Sequence, residues 1–338
     1  MKTAYVTKPF EVQIKDTPPP GCGGDDVLIR TVYTGVCGSD LHLFRGTHAF
    51  RSPPAVLGHE IAGEVIRVGP DVKNIKPGDR VTVEPQIGCG VCEFCRTGYV
   101  NLCASKIVPG TPKWAGTFSE LFAAPEKTIH KLADSVSYQN GVMIEPLAVA
   151  VHSMEILNKQ NKSIVILGSG SIGLLCLIVA KQLGYTTIIC TDTAPFNREM
   201  AVKLGADLAM DPVTEDVPSK VKELTNGKGA DAALVAAGAE NIMDQAASSV
   251  RKLGEICLVA MITERIPVYT YSLVFNEQRV LGSMTYPAPS FKKAVDMVND
   301  GLDLSMLVTQ TMDVEQTQEA LTILSEKKED VVKVLVSF

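Results

Sequence analysis

Apolar positions recur along this chain in two different rhythms. Up to about residue 150, short alternating or β-branched runs at 1–6, 27–33, 61–68 and 80–84 predict strands. Turn signals such as Pro18-Pro19-Pro20-Gly21 and Lys76-Pro77-Gly78-Asp79 separate them, and no long helical period intervenes. A loop over about 85–116 breaks the pattern, and loops of that length normally carry a function or an internal staple. From about Lys162 the rhythm becomes strand, helix, strand. Strands are predicted at 164–167, 186–191, 230–236, 255–259 and 279–282, with helices at 172–183, 198–204, 219–224 and 240–253. Such alternation implies right-handed crossovers and a doubly wound parallel sheet, an α/β class. The last stretch, from about 290, reads as a helix, a second helical segment at 314–325 and a strand at 331–336, expected to return to the first domain.

Length and charge narrow the possibilities. With 338 residues the chain is long enough for two domains. A formal net charge of −6 argues against nucleic acid or an anionic membrane as a partner. The most apolar stretch, 164–180, is interrupted by Gly168, Ser169, Gly170, Ser171 and Gly173, which suits a strand, turn and buried helix better than a membrane span. The N-terminus lacks the apolar segment of a signal peptide, so a cytoplasmic location is expected. Nine cysteines in such a protein point away from structural disulfides.

Ile164 to Gly173 sets a G-x-G-x-x-G between a predicted strand and a predicted helix. Gly168 allows the tight turn, Gly170 lets the backbone approach a pyrophosphate, and Gly173 permits close packing of helix on strand. Ile172 opens the helix, whose unpaired N–H groups and dipole favour phosphate. Asp192 follows at the end of the next strand, where a carboxylate accepts hydrogen bonds from ribose hydroxyls and repels a 2′-phosphate. NAD is therefore the expected cofactor. Arg198 pulls the other way, since a nearby arginine can accommodate that phosphate.

Cys89, Cys92, Cys95 and Cys103 follow C-x2-C-x2-C-x7-C in the long loop. Four thiolates fill a tetrahedral zinc shell and leave no open position, so this ion is expected to be structural. The spacing lacks the usual ferredoxin order, and a redox C-x-x-C would not need four thiols. Glu93, Arg96 and Lys106 form no basic stripe, which speaks against a nucleic-acid-binding ribbon. Three further segments offer metal donors: Cys37 to His42, Gly58-His59-Glu60, and Ile144 to Leu147 with Glu145. Their spacing alone does not establish a site.

Taken together, Cys37-Gly-Ser-Asp-Leu-His42, Gly58-His-Glu60, Lys76-Pro-Gly-Asp-Arg80, the four-cysteine lobe, Gly110-Thr-Pro112, Glu145-Pro-Leu147 and the glycine motif occur in the order of one family. The chain resembles the zinc-containing medium-chain dehydrogenases, and most of all the sorbitol and other polyol dehydrogenases. The resemblance implies a GroES-like catalytic domain over 1–150 and 287–338, a Rossmann domain over 151–286, and an active site in the cleft. It implies two zinc ions per chain, the catalytic one on Cys37 and His59 with Glu60 and Glu145 as acidic partners. Which glutamate bonds the metal is left open. Ser39 would accept the alcohol proton, and His42 with the cofactor ribose would carry it towards solvent; Glu145 with a water offers a second route. A homodimer or homotetramer acting on a small-molecule alcohol is implied as well.

Two positions depart from the sorbitol pattern. Leu43 stands where a tyrosine is usual, and Thr285 precedes Tyr286 where an arginine is usual, though both Thr285 and Tyr286 are expected at the substrate. Losing a phenol and a five-donor guanidinium changes how a polyhydroxylated chain is held. The expected reaction is hydride transfer from a secondary hydroxyl to NAD, giving a ketone. A butanediol-type or threonine-type dehydrogenase is the enzymatic alternative, and a dinucleotide-binding scaffold without chemistry the non-enzymatic one.

Overall fold

Both faces of the strand Ser163–Leu167 are covered, which is why its sequence is apolar without alternation. It lies inside a six-stranded parallel sheet whose order is Leu208–Met210, Thr187–Thr191, Ser163–Leu167, Ala230–Val235, Val250–Leu258, Arg279–Gly282. The first strand in sequence is thus central, and the order reverses there, at the point where open α/β sheets bind ligands. Helices Ser171–Gln182, Pro195–Lys203, Val217–Leu224 and Ile242–Ser249 supply crossovers, and Val165, Ile189, Val221, Ala246 and Ile256 belong to the core they enclose.

The computed structural model describes residues 1–48, 51–326 and 330–338, which divide into Met1–Glu145 with Pro287–Phe338, and Pro146–Tyr286. In the first of these units a seven-stranded sheet runs Val308–Asp313, Lys333–Ser337, Asp26–Gly35, Glu60–Val68, Arg80–Val83, Ile129–Lys131, with Leu121–Pro125 also pairing Asp26–Gly35. A three-stranded sheet accompanies it. The chain's last strand therefore sits beside one of its earliest, with Leu335 opposite Gly35. Among the described residues no helix is long and apolar enough to cross a membrane.

One predicted element is divided. The helix expected over 240–253 covers Ile242–Ser249, and the strand Val250–Leu258 begins at once. Val250 already pairs with Ala230, and Leu253 takes a left-handed φ of 61° before Gly254. The helical spacing of that window therefore ends at a pairing that only the neighbouring strand could reveal.

Candidate metal and dinucleotide sites

Antiparallel pairing of Asp26–Gly35 with Glu60–Val68 places Gly35 opposite Glu60. Cys37 lies just beyond one strand and His59 just before the other, so a register fixed within the sheet gathers residues remote in sequence. Helix Gly38–Phe44 follows immediately, with Cys37 as its N-cap. Asp40, in the first turn, completes the arrangement. Its Oδ2 accepts from the Cys37 N–H at 3.1 Å and its Oδ1 from the Gly58 N–H at 3.2 Å, while His59 Nδ1 lies 3.7 Å from Oδ1. Cys37, His59 and Glu60 thereby present ligand atoms that all lie within 4.8 Å of one another.

The electrostatics match a cation. Burial opposes a charge on His59, but Cys37 and the Asp40 carboxylate beside it outweigh that cost and hold its pKa well above the ordinary value. Asp40 is likewise opposed by burial, and its neighbours, His59 first among them, hold its carboxyl below the usual range. A thiolate, an imidazole and a carboxylate converging in such a field are a zinc donor set with room for a further ligand. Glu145 is buried in the first turn of helix Ile144–Glu155 and is not part of the converging set. Ser39 and His42 lie on helix Gly38–Phe44, both half-buried. The Ser39 hydroxyl makes no hydrogen bond among the described residues, whereas His42 Nδ1 lies 3.3 Å from Thr47 Oγ1. Burial and the Arg45 charge push His42 down, leaving it neutral at neutral pH.

In the lobe, Cys89, Cys92, Cys95 and Cys103 also lie within 4.8 Å of one another. The Cys89 and Cys95 sulfurs are 3.9 Å apart, close to the edge of about 3.8 Å expected for a tetrahedron with metal–sulfur bonds of about 2.3 Å. Cys92 caps the short helix Glu93–Arg96, its sulfur accepting from the Cys95 N–H at 3.5 Å. Backbone N–H groups of Val91 and Cys92 draw the Cys89 thiol down to about 6, towards the thiolate that a metal takes. These four residues fit one structural zinc ion.

The glycine turn is equally legible. Gly168 has a φ of 102°, and a Cβ on Gly173 would lie 1.9 Å from the Gly168 carbonyl oxygen, so helix and strand are in direct contact there. At Gly170 an added Cβ meets nothing within 4 Å: the space in front of the helix N-terminus is open. Ser171 Oγ, with almost no exposed surface, has no partner there, and Ile172 follows half-buried. An open glycine, an orphaned hydroxyl and uncapped helical N–H groups fit a pyrophosphate. Asp192 accepts from Ser169 N–H and Ala194 N–H, each at 2.9 Å. Arg198 donates to the carbonyls of Asp192 and Thr193 at 2.8 and 2.9 Å and lies 3.7 Å from Asp211. Thr285 holds a left-handed φ of 43°, costly for a β-branched residue, with its hydroxyl buried and unpartnered, while Tyr286 is fully buried.

Sequence reasoning passed over two residues. Asp40 stood inside a quoted motif, and its spacing from Cys37 is that of a capping box. Lys333 interrupts an apolar run near the C-terminus, and its ammonium reaches Glu60.

Comparison with known proteins agrees with this geometry. Residues 23–134, which hold all seven converging metal donors, match the model for the alcohol dehydrogenase GroES-like domain, and residues 171–300 match that for zinc-binding dehydrogenases. The chain belongs to the zinc-containing medium-chain dehydrogenase family. Within this family it is 34% identical to the sorbitol dehydrogenase of Bacillus subtilis (strain 168) over 99% of this chain and 97% of that protein. The structure of 2R,3R-butanediol dehydrogenase from Bacillus subtilis superposes with a TM-score of 0.92 at 30% identity, covering 100% of this chain and 99% of that one. A zinc-binding dehydrogenase from Sinorhizobium meliloti 1021, bound to NADP, gives 0.92 at 28% identity with the same coverage. The chain is thus a zinc alcohol dehydrogenase by family.

Proposed function

We propose that this protein oxidises a secondary hydroxyl of a polyol or sugar-like alcohol to a ketone, passing the hydride to NAD. The observation that carries the reading is the meeting of Cys37, His59 and Glu60 within 4.8 Å in a chain that also forms the open glycine turn. When bound, zinc supplies a Lewis acid that makes a hydroxyl more acidic, and nicotinamide takes the hydride. Cys37 and His59 would hold the ion, Asp40 fixes both ligand segments, and either Glu60 or Glu145 would complete the acidic side. The unengaged Ser39 hydroxyl would receive the proton, and the cofactor ribose with His42, neutral at neutral pH, would pass it to solvent.

Asp192 supports NAD over NADP. A carboxylate has about four lone-pair sites, so two backbone donors leave capacity for ribose hydroxyls. Arg198 is committed to two carbonyls and is poorly placed to neutralise a 2′-phosphate. Leu43 is fully buried and Thr285 carries no charge, so this chain lacks the phenol and guanidinium of the sorbitol pattern. That favours, as the second reading, a smaller diol of the butanediol type. Self-association is proposed through the edge strand Arg279–Gly282, which is preceded in sequence by Tyr269, Tyr271, Val274 and Phe275, all more than 60% exposed.

A panel of polyols, sugar acids, 2,3-butanediol and threonine, each with NAD and NADP, tests the reading through reduced-nicotinamide absorbance. Turnover of a polyol with NAD is expected. Activity on none of them would leave only a dinucleotide-binding scaffold, and a preference for NADP would overturn the role given to Asp192.

A further inference from the structure

A lysine buried in an apolar strand needs a counter-charge. Lys333 opens the strand Lys333–Ser337 with its side chain only 3% exposed. Its ammonium donates to Glu60 Oε1 at 2.6 Å and to the Val36 carbonyl at 3.1 Å, and it also touches Glu60 Oε2. Glu60 is as deeply buried, and its Oε2 makes no well-formed hydrogen bond among the described residues. The room for this carboxylate comes from Gly35, where a Cβ would lie 1.9 Å from Oε2. Glu60 therefore has two cationic partners in reach: the ammonium, and the position that Cys37 and His59 define for an ion.

We propose that Lys333 is a positioning residue of the metal centre, sharing the Glu60 carboxylate with the ion and keeping Glu60 a partly withdrawn ligand. The proposal rests on the reading of Cys37 and His59 as metal ligands. Its physical basis is charge neutralisation at low dielectric. With Lys333 present, the ion meets the charge of the thiolate in full and that of the carboxylate only in part, which preserves its Lewis acidity. Without the ammonium, the ion is left as the counter-charge of Glu60 among the partners described above. Glu60 then turns wholly onto the metal, which is held more tightly and made less acidic.

Cobalt substituted for zinc in the full-length protein reads this directly. A site with one thiolate and the four-thiolate lobe give different visible bands, so the Cys37 centre can be followed separately. Lys333→Met should shift the bands of that centre and slow release of its ion to a chelator about tenfold. In a Glu60→Gln background the same substitution should change neither, and Lys333→Arg should stay near wild type. Wild-type bands and release in Lys333→Met would overturn the proposal. So would an equal effect in the Glu60→Gln background, which would make Lys333 a structural clamp on Val36. If Lys333→Met fails to fold, Lys333→Gln, which keeps a hydrogen-bond donor and loses the charge, takes its place in the same comparison with and without Glu60→Gln, with the same two outcomes deciding. Wild-type protein with no cobalt at Cys37 would overturn the metal reading itself, and this proposal with it.

Discussion

Asp40 touches no reacting atom, yet both metal-ligand segments close on its carboxylate, Cys37 through one oxygen and Gly58-His59 through the other. Asparagine there would keep the volume and lose the charge that opposes His59. Asp40→Asn is expected to lower metal affinity and kcat/KM about 10–100-fold while the fold survives, as metal titration with circular dichroism would show. Unchanged affinity would reduce Asp40 to an ordinary helix cap. Asp231 makes a comparable point for stability. Burial opposes its ionisation, but the Arg251 guanidinium, 2.7 Å away, and donors from Lys162 and Ser163 outweigh it and hold the carboxyl below the ordinary carboxylate value. Its folded pKa is depressed, so its contribution is complete above the unfolded value of about 3.9 and is lost as pH falls through the folded one. The urea midpoint should therefore drop below about pH 4. Asp231→Asn should cost about 1–3 kcal/mol at neutral pH and flatten that drop.

At the scale of elements, the glycine turn separates packing from binding. Gly173→Ala forces a Cβ to within 1.9 Å of a backbone oxygen. It should destabilise the protein by about 1–3 kcal/mol, because neither partner is a movable side chain. Gly170→Ala meets nothing within 4 Å and should leave stability within about 0.5 kcal/mol, yet raise the Kd for NAD about tenfold or more by blocking the pyrophosphate. Thermal melts and cofactor titration check the pair; equal effects on both properties would contradict the assignment. The same turn was readable in sequence because an apolar strand, three glycines and a helical run follow one another without a gap. Strands Leu208–Met210 and Ile129–Lys131 were not, since three residues carry no period. Helix Ile144–Glu155 is apolar along most of its length, so no polar face marked it. The cysteine lobe announced itself because all four ligands share one loop. The second metal centre could be reached only through resemblance, because a β-register, and not a local spacing, brings Cys37 to His59.

For the whole molecule, connectivity matters more than any single element. The chain leaves its first unit, builds the parallel sheet, and returns, so the last strand completes the wall behind the metal ligands. Lys333 and Glu60 are 273 positions apart, and no pattern in the sequence links them. The division of labour is correspondingly clean: the converging metal donors belong to the first unit and the glycine turn to the second. Damage to the metal centre should therefore leave cofactor binding in place. Zinc content, NAD affinity and turnover of Cys37→Ser, set against wild type, measure this most directly. Two zinc ions per chain are expected in the wild type, one for each of the two ligand groups. The variant should keep the lobe ion alone, bind NAD normally and turn over no alcohol; a variant that retains both ions and full activity would contradict the account.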